Sequence, residues 1–205
     1  DGQVDVLAGT LEFRGSATHT GRFQAAANAT LQFGGGTNRL QGNARMEIPI
    51  GASLVVRNAN TALEIGAGSS LNVPGMLQLQ SARLTTDAPS NVGTLDFSFG
   101  TIDGAGEMTI ATQFTWTSGT LAGTGITTLA PGSALDFPNG TRILSQRTLR
   151  LDSPITWGTA SLTLRDNASI LTRSTLSVTA GAIFSAPNQQ AAHFRSAAGK
   201  QGLGK

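Results

Sequence analysis

The sequence has no cysteine, no tyrosine, two histidines and two tryptophans; only 13% of its 205 residues are charged and only 5% are aromatic. Without cysteine no disulfide can staple the fold, although the absence does not identify a compartment, since secreted repeat proteins and cytosolic domains both do without it. His19 and His193 lie near opposite ends with no partner at metal-ligand spacing, so no zinc centre and no other cofactor is expected. Lys and Glu, which favour helices, are scarce. No run of 18 or more apolar residues occurs, which excludes a membrane-spanning helix. The basic residues are scattered, the net charge is +2, and no stacking aromatics are interleaved with them, so nucleic acid is not an expected partner. No signal-peptide pattern opens the chain, because Asp1-Gly2-Gln3 leads directly into Val4-Asp5-Val6, and the sequence reads as a mature region or a piece of something longer.

What is abundant is glycine, 26 residues, together with Ser, Thr, Ala and Asn. The apolar 39% is too regularly spaced for a disordered chain. One unit recurs throughout: two apolar residues separated by a single residue. Such a pair puts two side chains on one face of a strand and one on the other. It appears at Leu11/Phe13, Leu31/Phe33, Leu54/Val56, Leu71/Val73, Leu95/Phe97, Phe114/Trp116, Leu135/Phe137, Ile155/Trp157 and Leu176/Val178. Successive second members are 20, 23, 17, 24, 19, 21, 20 and 21 positions apart.

A second ladder lies between these pairs, at Met46/Ile48, Leu63/Ile65, Leu77/Leu79, Met108/Ile110, Thr127/Leu129, Leu149/Leu151 and Ile170. Ser118 to Leu121 and Ser161 to Leu164 look like a third, shorter set that closes each turn. Corners are marked by Gly or Asn among small residues, as in Ala27-Asn28-Ala29, Ile50-Gly51-Ala52, Ala67-Gly68-Ser69 and Pro131-Gly132-Ser133, where a left-handed backbone is needed. These features predict an all-β, single-domain parallel β-helix (β-solenoid) of about nine coils of roughly 20 residues. The solenoid is expected over residues 1-184, with 185-205 an irregular tail, a cap or a truncated repeat. The longest steps should extrude corners at Gly34 to Arg39 and Thr85 to Asn91. Phe13, Phe33, Val56, Val73, Phe97, Trp116, Phe137, Trp157 and Val178 should form one inward stack.

The segment FTWTSGTLAGTGITTLAPGSALDFPNGTRILSQRTL resembles repeats of bacterial cell-surface and secreted β-helix proteins of the filamentous-haemagglutinin and autotransporter-passenger type. The resemblance covers Gly93 to Phe184 well and Val4 to Val92 more loosely. It implies a parallel β-helix in an extracellular or cell-surface setting. It carries no catalytic residue across, because such rods serve adhesins, phage tail proteins and polysaccharide lyases alike.

Chemistry on a polysaccharide needs paired carboxylates, or a carboxylate with a basic partner. Asp96 and Asp136 are the best catalytic candidates, at the same outward place in coils two apart, hence roughly 10 Å from one another. Asp103 and Glu107 flank the turn Asp103-Gly104-Ala105-Gly106-Glu107, which could hold a cation through oxygen ligands. All four can instead be solvated surface carboxylates. Gly104-Ala105-Gly106 and Gly123-Thr124-Gly125 lack the following helix that phosphate binding requires. Asn28, Asn139 and Asn167 match the glycosylation acceptor pattern but read more simply as corner asparagines.

The favoured expectation is an extracellular structural or adhesive rod, not an enzyme. It would present strand faces and corners to glycans or another surface and continue or self-associate through its ends. The alternative is a carbohydrate-active β-helix, a polysaccharide lyase, a hydrolase or the body of a phage tail protein. Ice binding is a weaker idea, because the outward residues, from Glu12 and Gln32 to Asp136 and Ser177, are too mixed for a regular threonine array.

Overall fold

The computed structural model describes residues 2–138, 140–186 and 193–196. Among them there are strands and turns and no helix. Each coil passes through three strand positions, and each position pairs in parallel with the same position of its neighbouring coils, except that column II breaks between Ala134–Asp136 and Ile155–Trp157. Column I runs from Gln3–Val6 through Arg22–Ala25 and Arg45–Glu47 to Ile126–Leu129, Thr148–Leu151, Ser169–Thr172 and His193–Ser196. Column II contains Thr10–Phe13, Thr30–Phe33, Ser53–Arg57 and Ala134–Asp136, followed by Ile155–Trp157 paired with Leu176–Val178. Column III contains Ala17–His19, Gly36–Leu40, Thr61–Ile65, Thr141–Ser145, Ser161–Arg165 and Ile183–Ser185. In the middle of the rod three long strands, Ser70–Thr86, Ser90–Asp103 and Met108–Leu121, each pass through all three columns. The β-solenoid expected from the spacing is therefore the fold.

The register differs from the sequence reading in two adjacent coils. Leu71 pairs with Met46 and belongs to column I, whereas Leu77 and Leu79 pair with Leu54 and Val56 and supply the missing rung of column II. Leu63 and Ile65 belong to column III, opposite Asn38 and Leu40. The steps of 17 and 24 residues thereby become 23 from Val56 to Leu79 and 18 from Leu79 to Phe97. The reason is physical. All three columns use the same alternation, and Ser70–Thr86 turns two corners without interrupting its strand, so no local signal separates its three apolar pairs.

The two expected loops are corrected too. Gly36–Leu40 is a column III strand paired on both sides, and a Cβ on Gly35 would lie 2.4 Å from the carbonyl oxygen of Arg14. That backbone is stacked on its neighbour, not extruded from it. Thr85 pairs with Asp103, and Ser90 and Asn91 pair with Leu71 and Asn72, leaving only a short turn between. Extra residues are taken up at the corner from column I to column II, where tight turns such as Ala26–Ala29 and Pro49–Ala52 each close with a backbone hydrogen bond of 3.0 Å. Asn28, Gly51, Gly68 and Gly132 do hold positive φ at corners, between 65° and 84°. In the segment expected to be irregular, His193–Ser196 pairs with Ser169–Thr172, while residues 187–192 and 197–205 lie outside the described residues.

The inward side chains fill the rod completely. Phe33, Val56, Val73, Leu79, Phe97, Trp116 and Trp157 are all fully buried, with Val73 lying in column I, apart from the column II stack. Rings follow one another along the axis: Phe97 and Trp116 stack at 6.2 Å, Trp116 reaches Phe137 at 6.3 Å, and Phe137 reaches Trp157 at 4.1 Å. The ends of the predicted stack are less shielded, with Phe13 half-buried and Val178 53% exposed, and Phe137 within it is half-buried too. Outside, ion pairs clip coils together, Arg39 to Glu64 across adjacent rungs and Arg57 to Glu12 across two. The hydrogen bond from Arg22 holds the Glu47 carboxyl below its ordinary value. Its small contribution is therefore present above the ordinary carboxylate range and lost as the pH falls through the lowered value.

Phe97→Ala should destabilise the rod by about 3–5 kcal/mol, because the column cannot collapse around the cavity. Asp96→Ala, on the outward face next door, should change stability by less than about 0.5 kcal/mol. Denaturant melts of the two variants beside the parent check both values.

Candidate functional site

The catalytic candidates sit where the alternation places them. Asp96 pairs with Thr115, and Thr115 with Asp136, so both carboxylates face outward from column II with one rung between them. At ~4.8 Å per rung their backbones stand roughly 10 Å apart, wide for a nucleophile–acid pair and marginal for a pair that accommodates one water. Asp96 is half-buried and Asp136 exposed.

The cation candidates are already engaged. Asp103 Oδ2 lies 2.5 Å from Arg83 Nη2, and Glu107 Oε1 accepts from Arg150 Nη2 at 2.7 Å and from Thr128 Oγ1 at 3.0 Å. They face different neighbours on either side of the corner. Among the described residues, no three His, Cys, Asp or Glu side chains come together. His19 lies inside the first coils, with its ring against Phe13, Phe23 and Phe33 and its Nε2 3.0 Å from Asn38 Oδ1. The side chain of His193 is outside the described set, as is Asn139; Asn28 and Asn167 are corner residues with positive φ.

The glycine-rich turn between Asp103 and Glu107 does hold a cation, from within the chain. Arg147 is fully buried and aims its guanidinium at the inner side of this corner. Its Nη1 donates to the carbonyls of Gly104 at 3.2 Å and Ala122 at 3.0 Å, its Nη2 to Gly106 at 3.1 Å and Ile126 at 3.4 Å, and its Nε to Thr127 Oγ1 at 2.8 Å. Two successive glycine corners are thus tied to the coil that follows. A Cβ on Gly125 would come within 3.0 Å of the same Nη1, so the small residues are what let the guanidinium reach the backbone. Burial pulls the Arg147 pKa down to about 10, partly opposed by the charge of Asp103. The buried charge is a cost below about pH 10, and that cost eases as pH rises from there toward the ordinary arginine value.

Arg142 repeats the device at the corner between columns II and III. It is 1% exposed, donates from Nε to the Trp116 carbonyl and from Nη1 to Gly140, contacts the Pro138 carbonyl through Nη2, and lies 5.0 Å over the Phe137 ring. Burial lowers its pKa as well, with the charge of Asp136 opposing. Sequence reasoning passed over both arginines, yet the signal was there. Arg142 stands two residues before inward Leu144 and Arg147 two before inward Leu149, so alternation alone points both inward.

Compared with protein-family models, with curated proteins and with solved structures, the chain gives no significant match. Its function has to be read from its own surface.

Arg147→Leu should destabilise the rod by about 2–4 kcal/mol, since the burial of bare carbonyls outweighs relief of the buried charge. Arg147→Lys, which keeps a charge but only three donors, should fall between the two. Thermal unfolding at neutral pH measures both.

Proposed function

We propose that this chain is an extracellular structural and adhesive β-solenoid rod, a segment of a larger surface or secreted protein, which presents its strand faces and corners to glycans. The carrying observation is the fate of its carboxylates. Asp103 and Glu107 each pair with an arginine of another coil, and Asp96 and Asp136 face outward with a full rung between them. The outward row of column II, in which Gln32 and Val55 are covered by their neighbours, otherwise presents Glu12, Gln78, Asp96, Thr115, Asp136, Thr156 and Ser177, a mixed polar surface suited to contact and solubility.

The likeness to filamentous-haemagglutinin and autotransporter-passenger repeats supports the same reading. So does the composition of a stiff rod whose stability comes from stacking. The first coil leaves strand edges free that suit pairing with another strand. Among the described residues, the strands Gln3–Val6, Thr10–Phe13 and Ala17–His19 each pair on one edge only. Leu11 is 37% exposed there, whereas Leu31, one rung inward, is fully buried.

The test incubates the chain with acidic and neutral polysaccharides, following bound protein together with reducing ends and unsaturated-uronate absorbance. Binding without turnover is the expected result, unchanged in Asp96→Asn and Asp136→Asn. Turnover that disappears in either variant would establish the carbohydrate-active alternative instead.

A further inference from the structure

One corner of the rod carries an aromatic side chain in a backbone conformation that aromatic residues avoid. Arg57, Gln80 and Ser98 occupy successive rungs at the end of column II. The residues that follow them, Asn58, Ser81 and Phe99, all have positive φ, of 78°, 59° and 64°. Asparagine adopts this left-handed region readily and serine less so, while a bulky ring there is an outlier. Phe99 is followed by Gly100, at φ 94°, so the pair occupies a turn that ordinarily favours Asn-Gly. The strain leaves the ring 59% exposed, out of the core that holds Phe97 two residues earlier.

A second irregularity lies on the same corner. Phe97 pairs with Trp116 and Thr101 with Thr120, but Ser98 pairs with Ser118, so the two rungs slip by one residue at this corner and then return to register. Irregularities of this kind redirect side chains and recur beside functional sites. The aromatic residue in the left-handed turn and the slip fall at one corner.

We propose that Phe99 is the platform of a carbohydrate-binding site on this corner, with Gln80, Ser81, Ser98 and Thr117 as its polar surround. The chemistry of the patch selects the ligand. A protein partner would require a contiguous apolar area, but every neighbour named here is polar, and the other large exposed apolar side chains lie on other columns or corners. One bare ring among hydroxyls and an amide matches a sugar, which offers an apolar face bordered by hydroxyl groups. The site rests on the glycan-binding reading above and gives that reading an address.

Two substitutions test it, with immobilised β-glucan, chitin and polygalacturonate as probes. Phe99→Asn suits the left-handed turn and removes the ring; it should raise the melting temperature by about 2–4 °C and weaken binding at least about tenfold. Phe99→Trp keeps the platform and should retain binding within about twofold. If the parent binds a probe and Phe99→Asn binds it equally well, this site is wrong while the adhesive reading stands. If the parent binds none of the three, both are overturned.

Discussion

The whole structure depends on backbone pairing between rungs. A parallel rung satisfies its N–H and C=O groups only through the rungs on either side, at a spacing of ~4.8 Å that the side chains cannot alter. Everything else follows from holding that spacing. Corners need glycine, asparagine or alanine so that one turn can lie directly on the next, and inward residues must fill a bore of fixed width. The run of Phe97, Trp116, Phe137 and Trp157 is the result: aromatic rings arranged nearly one per rung, because each has to occupy the space that its neighbours leave. Helix-forming residues and cysteine are dispensable in such an object, since order comes from repetition.

The same constraint explains the buried arginines. Where a corner turns through glycines, carbonyls point inward; Gly104 O takes one backbone bond from Gly125 N, and an apolar bore would offer no further donor. Arg147 and Arg142 reach across from later coils and donate to those carbonyls. A guanidinium suits this work because it is flat, carries five donors in a fixed fork and is less tightly hydrated than an ammonium. Asp103 and Asp136, which looked like catalytic or metal-binding groups in the sequence, act here as charges that partly offset the burial of these two arginines.

Much of this was legible from spacing alone. The architecture, the coil length, the inward positions of Phe97, Trp116 and Trp157 and the outward positions of Asp96 and Asp136 all follow from period-two alternation repeated about every 20 residues. What spacing could not supply was the column of each pair. Leu71/Val73 and Leu77/Leu79 are equally good apolar pairs six residues apart, and the uninterrupted strand between them hides the corner. The glycines from Gly34 to Gly36 read as a loop because flexibility and close stacking use the same residue. The Phe99 site was out of reach for a different reason: its signal is a backbone dihedral, and the alternation pattern is silent about corners.

The three-column register is tested most directly by paired spin labels, since the chain has no native cysteine to remove. Labels at Gln78 and Asp96 should sit on adjacent rungs of one column, about 5 Å apart at the backbone, and broaden one another's spectra strongly. Labels at Asn72 and Asp96 should lie on different columns and show no such broadening. Strong broadening for Asn72 with Asp96, and none for Gln78 with Asp96, would contradict the register and the placement of every surface residue derived from it.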